Sequence, residues 1–115
     1  MDDRLPVALW IEAHLKRLEL QAVSYYILNK GNHASGVVMV KLYHGGQCRL
    51  LIQQRDIDGK LGWDNALSKE IIPEKEADDY IRRSISRDPD LWVIEIEDKE
   101  MKNPFVEFSG GNAEN

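Results

Sequence analysis

Along the last third of the chain, Trp92, Ile94 and Ile96 fall on one side of an extended run and Val93, Glu95 and Glu97 on the other. That alternation is the pattern of a half-buried strand. Asp88 precedes Pro89 and is pushed away from helical geometry, so the preceding helix ends there. That helix is predicted over about Glu74 to Arg87, opened by Pro73, with Ala77, Ile81 and Ile85 facing inward beside Tyr80. Asp78 with Arg82 and Asp79 with Arg83 are expected to pair along its wet side. A first helix is predicted from Pro6 to about Leu20, where Ala8, Ile11, Leu15 and Leu18 form one apolar stripe. Leu9, Ala13 and Leu20 widen its apolar surface beyond that stripe, so the helix is expected to be covered on more than one side.

Between the helices the pattern shortens to strands. Ala22 to Leu28 is rich in aromatic and β-branched residues and ends at Asn29-Lys30-Gly31-Asn32. Val37 to Tyr43 and Gln47 to Gln54 form a hairpin. A three-residue loop, His44-Gly45-Gly46, pairs Leu42 with Cys48, Val40 with Leu50 and Val38 with Ile52, leaving one face wholly apolar. A two-residue Gly45-Gly46 loop pairs Leu42 with Arg49 and mixes the faces, and is set aside for that reason. Asp58-Gly59 signals a second two-residue turn, which pairs Asp56 with Leu61 and Gln54 with Trp63. Val38, Val40, Leu42, Leu50, Ile52, Trp63, Trp92, Ile94 and Ile96 are then expected to share one core.

These elements predict an α+β domain: a predominantly antiparallel sheet of about five strands, in the order α-β-β-β-β-α-β, with both helices on one face. The neighbours of the last strand are left open. One domain is expected over residues 1–108, followed by a disordered tail at 109–115 that has nothing to bury.

Composition narrows the function classes. Residues 1–60 hold eight Lys/Arg against six Asp/Glu, a net of +2, and residues 61–115 hold seven against fourteen, a net of −7; together these give the formal −5. A net-acidic chain without a basic block disfavours nucleic-acid binding. The single Cys48 excludes an internal disulfide and a multi-cysteine zinc site. Met1-Asp2-Asp3-Arg4 does not open a secretory signal, and no window reaches the roughly eighteen apolar residues of a membrane span. A reduced, cytoplasmic protein with no membrane contact is expected.

Several motifs invite chemistry and fail on geometry. Cys48 with His44 suggests a thiol–imidazole pair, but the hairpin turns Cys48 inward while His44 sits at the loop tip, and a buried thiol without a cationic neighbour is inert. Pro89-Asp90 with Glu97-Asp98-Lys99 echoes a metal-dependent nuclease pattern. On one strand, however, Asp90 and Glu97 lie roughly 23 Å apart at about 3.3 Å per residue. Asp56-Ile57-Asp58-Gly59 starts like a calcium loop, yet its fifth position is Lys60 and its twelfth Leu67. His14, His33 and His44 show no metal-ligand spacing. No catalytic residue, metal or cofactor is assigned.

What remains is the outer face of the sheet, carrying Met39, Lys41, Tyr43, Arg49, Leu51, Arg55, Val93, Glu95 and Glu97. With both helices on the other side, this mixed apolar and charged surface is the expected meeting place with a protein partner or a second copy. For the charges themselves the bland reading is preferred: Glu95 and Glu97 are simple counter-charges to Lys41 and Arg49, placed opposite each other by the three-residue loop.

Leu9-Trp10-Ile11, the run Gly36-Val37-Val38-Met39-Val40-Lys41 and above all Asp88-Pro89-Asp90-Leu91-Trp92-Val93-Ile94-Glu95-Ile96-Glu97-Asp98 resemble a small alphaproteobacterial family, domain of unknown function 1491. The resemblance spans nearly the whole chain and implies a stand-alone bacterial protein. It carries no activity, cofactor or catalytic residue to transfer. The expected function is therefore a non-catalytic protein-interaction or regulatory domain. A small enzyme using Glu95 or Glu97 is the alternative, and a nucleic-acid binder the second.

Overall fold

The structure is a computed structural model that describes residues 6–55 and 57–105. Helix α1 (Val7–Leu20) is followed by strands β1 (Tyr25–Asn29), β2 (Val38–His44), β3 (Gln47–Arg55) and β4 (Leu61–Asn65). A two-residue strand β5 (Ile72–Pro73) leads into helix α2 (Glu74–Arg87), and β6 (Trp92–Glu97) closes the order. Both helices bury the stripes their spacing predicts: Ala8, Ile11, Leu15 and Leu18 on α1, Ala77 and Ile81 on α2. The tail 109–115 lies outside the described residues.

The result is an α+β fold on a six-stranded, mostly antiparallel sheet. Its order is β1-β6-β2-β3-β4, with β5 attached to β3. The last strand thus takes a central place, antiparallel to β1 and parallel to β2.

The helices do not share a face. Val38, Val40, Leu42, Leu51, Trp92, Ile94 and Ile96 pack with α1, whereas Met39, Leu50, Cys48 and Val93 pack with α2. Consecutive residues of β2 and β6 thus enter opposite cores. A strand covered on both faces reads as a continuous apolar run, and Val37-Val38-Met39-Val40 is such a run. The hairpin register follows. Leu42 pairs with Arg49, Val40 with Leu51 and Lys41 with Leu50, the two-residue loop in place of the three-residue one. Gly45 and Gly46 both take positive φ, 60° and 83°, as a type I′ turn demands. The demand for one wholly apolar face loses its force when both faces are buried.

The second hairpin is also shifted by one residue. Arg55 pairs with Leu61 and Gln53 with Trp63, so the connection is residues 56–60 and not a two-residue turn. The two shifts cancel for Trp63, which stays on the α1 side with Val38, Val40 and Leu42 and stacks on Phe105 at 5.9 Å. They do not cancel for Leu50 and Ile52, which move to the α2 side. Phe105, fully buried, also stacks on Trp10 at 5.4 Å and anchors the chain after β6.

Trp92 is held by more than packing. Its indole N–H donates to the Asn32 carbonyl at 2.8 Å and its backbone N–H to Val37 at 2.9 Å. The Asn32 N–H in turn donates to the Asp90 carbonyl. A Cβ at Gly31 would lie 2.1 Å from that same Asp90 oxygen, so only glycine lets the loop close over the Asp-Pro-Asp-Leu-Trp segment.

Candidate functional site

Alternation along β2 and β6 sets Lys41 and Glu95 side by side on the α2 face. Helix α2 brings two more carboxylates over them, Glu74 from its first turn and Asp78 four residues on. The Lys41 ammonium donates to Glu74 Oε2 at 2.8 Å, Asp78 Oδ1 at 2.8 Å and Glu95 Oε1 at 3.3 Å. Its three N–H bonds thus meet three acceptors. Lys41 is only 2% exposed, whereas Glu74, Asp78 and Glu95 keep 38%, 41% and 17% of their side-chain surface. Burial by itself would lower the Lys41 pKa. The hydrogen bonds to Asp78 and Glu74 and the charge of Glu95 more than reverse this and hold the ammonium well above its usual range.

One ammonium against three carboxylates leaves two uncompensated negative charges. Tyr43, two residues along β2, places its ring centroid 5.1 Å from the Lys41 ammonium. Burial, then the charges of Glu95 and Glu97, raise the Tyr43 pKa. Beyond Glu95 the surface opens into a depression of about 350 Å³ lined by Ser24, Tyr25, Tyr26, Tyr43, Glu95 and Glu97. Tyr26 pairs with Glu95 across β1 and β6, and Glu97 lies beside Tyr43. Two phenol rings and two carboxylates therefore frame one concavity next to the edge strand β1.

The nine residues of the expected outer face are divided by this arrangement. Met39 and Val93 are buried beneath α2, at 1% and 0% exposure. Leu51 lies in the α1 core, and Arg49, opposite Leu42, also turns to that side and donates to the Met101 carbonyl at 3.1 Å. Lys41 therefore faces Leu50, not Arg49. Arg55 pairs through its backbone with Leu61, and its side chain lies outside the described residues. Only Tyr43, Glu95 and Glu97 remain together on an accessible surface. The apolar centre is lost because α2 covers Met39 and Val93 while Leu51 faces α1.

Glu74, Asp78 and Tyr26 belong to the site and were not singled out from the sequence. Asp78, expected to pair outward with Arg82, turns to Lys41, while Asp79 pairs with Lys75 and Arg82. The signal was available: Glu74, Ala77, Asp78 and Ile81 make one helical stripe, so two carboxylates flank the inward residues.

Cys48 is fully buried, opposite Tyr43 and beside Ile72 of β5. Burial pushes its thiol up to about 11; Lys41 opposes this, and Glu74, Asp78 and Glu95 add to it. Such a thiol is almost entirely protonated at neutral pH. Among the described residues no cluster of three or more His, Cys, Asp or Glu is arranged to hold a metal ion, and no helix is long and apolar enough to cross a membrane.

A family model described as "Protein of unknown function (DUF1491)" matches residues 5–106. A crystal structure of a DUF1491 family protein from Caulobacter crescentus CB15 is similar at 31% identity, covering 89% of this chain and 94% of that one, with a TM-score of 0.77. An NMR structure of a DUF1491 family protein from the same organism superimposes with a TM-score of 0.74 at 29% identity, over 87% of this chain and 91% of that one. The solution structure of Atu0922 from A. tumefaciens shares the fold, with a TM-score of 0.66 at 21% identity over 84% and 87%. No curated protein matches the chain.

Proposed function

From the premise that this chain belongs to the DUF1491 family, we propose that it is a non-catalytic protein-interaction domain whose binding element is the depression beside β1. The observation that carries this reading is its lining: Tyr26 and Tyr43 with Glu95 and Glu97. Phenol rings attract a cation through their faces, and carboxylates complete its coordination. Because Lys41 leaves its cluster net negative, the potential at the opening favours an incoming positive charge. The occupant is a lysine or arginine side chain of a partner protein.

Reaction chemistry at Glu95 finds less support. Its carboxylate is engaged by Lys41, and the nearby Cys48 thiol is held protonated. The same negative potential repels a phosphate backbone, which disfavours nucleic acid. The lone, buried, unpaired thiol suits the reducing cytoplasm.

The test is titration at low salt with a capped Gly-Arg-Gly-Arg-Gly peptide and its Gly-Glu-Gly-Glu-Gly counterpart. The arginine peptide should bind, weaken as salt is raised, and lose at least fivefold in affinity to Glu97→Lys. Equal behaviour of the two peptides would remove the cation-binding reading.

A further inference from the structure

Strand β1 is an end of the sheet among the described residues, and up to the irregularity between Ile27 and Asn29 it lacks the charges and prolines that keep edges from pairing. Its sequence Tyr-Tyr-Ile-Leu-Asn holds no charge, proline or glycine, while the opposite edge β4 carries Gly62 and Asp64. Tyr26, Ile27 and Leu28 are 71%, 41% and 40% exposed. Two hollows flank this edge, one on each face. On the α2 side lies the acidic depression, entered past Tyr26. On the α1 side lies a groove of about 580 Å³ whose apolar lining, Leu9, Ala13, Leu15, Tyr25 and Ile27, is bordered by Glu12, Lys16 and Glu19. Leu9, 43% exposed, and the exposed Ala13 form the second apolar side of α1, which no described element covers.

We propose, building on the cation-binding reading, that the partner presents an extended segment in which apolar and basic side chains alternate, and that this segment adds to the outer edge of β1. Successive side chains of a strand point to opposite faces. Every second residue of such a segment therefore reaches the Leu9–Ala13–Ile27 groove, and the residues between them reach the Tyr26 side. Pairing of β1 with β6 is regular over Tyr25–Ile27 before the ladder shifts, so the added segment needs only a few residues. Neighbouring strands lie about 4.8 Å apart, which puts β6 roughly 10 Å from the added strand. Glu95 and Glu97 are within reach only of a side chain as long as arginine or lysine lying back across Tyr26. Arginine fits best, because its planar head stacks on a phenol ring and still offers N–H groups to a carboxylate. The charge of the depression selects this occupant over a second copy, whose own β1 brings no cation to it.

The experiment titrates the full chain, isotopically labelled, with capped Leu-Arg-Leu-Arg-Leu and with its isomer Leu-Leu-Leu-Arg-Arg. The alternating peptide should bind about tenfold tighter and shift the backbone amides of Tyr25 to Leu28. Ala13→Glu and Glu97→Lys, both at exposed sites, should keep the fold and each weaken it about tenfold. Equal binding of both peptides, lowered by Glu97→Lys and untouched by Ala13→Glu, would overturn strand addition while leaving cation binding intact. Indifference to Glu97→Lys would overturn both. Concentration-dependent dimers abolished by Ala13→Glu would identify the occupant as a second copy and overturn the proposed partner.

Discussion

Lys41 Nζ lies 2.8 Å from Asp78 Oδ1, and this contact ties the middle of a central strand to the second turn of α2. Removing the cation leaves Glu74, Asp78 and Glu95 converging on an apolar stub. Deleting one partner of a buried pair costs several kcal/mol, but these carboxylates are partly exposed and can turn to water. Lys41→Met should therefore destabilise the protein by about 2 kcal/mol in urea denaturation, and adding Asp78→Asn should recover part of that loss. A cost below about 0.5 kcal/mol would mean that the cluster adds nothing net to stability.

The buried thiol predicts an alkaline weakness. With its folded pKa raised from 9.0 to about 11, Cys48 stays protonated in the native state while the unfolded chain ionises. Its contribution is fully present below pH 9 and is lost as pH rises to about 11. One pH unit is worth 1.36 kcal/mol, so the wild type should lose roughly 2–3 kcal/mol more than Cys48→Ala across that window. Parallel stability curves for the two proteins would show that the thiol titrates normally. A thiol reagent should likewise modify native Cys48 slowly at pH 7.

The loop closing over Trp92 gives a third expectation. Trp92→Ala removes a large aromatic from the α1 core and strands the Asn32 carbonyl, and should cost about 3–5 kcal/mol. Gly31→Ala forces a methyl group toward the Asp90 oxygen and should cost about 1–3 kcal/mol through the displaced loop. Thermal or urea unfolding measures both. A neutral Gly31→Ala would show that the loop does not rest on the segment before β6.

Periodicity made both helices legible, because each buries one stripe, and alternating or apolar runs located the hairpin and the last strand. It did not reveal that β2 is buried on both faces. Val38-Met39-Val40 is apolar at every position, and a one-residue slip then costs no obvious pattern. From that slip came the placement of Leu50 beside Val40 and of Lys41 opposite Arg49. The site was legible only in part. Tyr43, Glu95 and Glu97 share one face, as one alternation along each strand sets them there. Glu74 and Asp78 were not legible, because an amphipathic helix shows which stripe faces inward but not which buried cation awaits it. Tyr26 joins through the pairing of β1 with β6, a contact between residues some seventy positions apart that no local pattern reports.

The depression framed by Tyr26, Tyr43, Glu95 and Glu97 is proposed to receive a cationic side chain. The most direct measurement follows backbone and side-chain resonances of these four residues while the capped Gly-Arg-Gly-Arg-Gly peptide is added. Saturable shifts confined to them and to Ser24 and Tyr25, shrinking as salt is raised, are the predicted result. Shifts elsewhere on the surface, or none at the four residues, would contradict it.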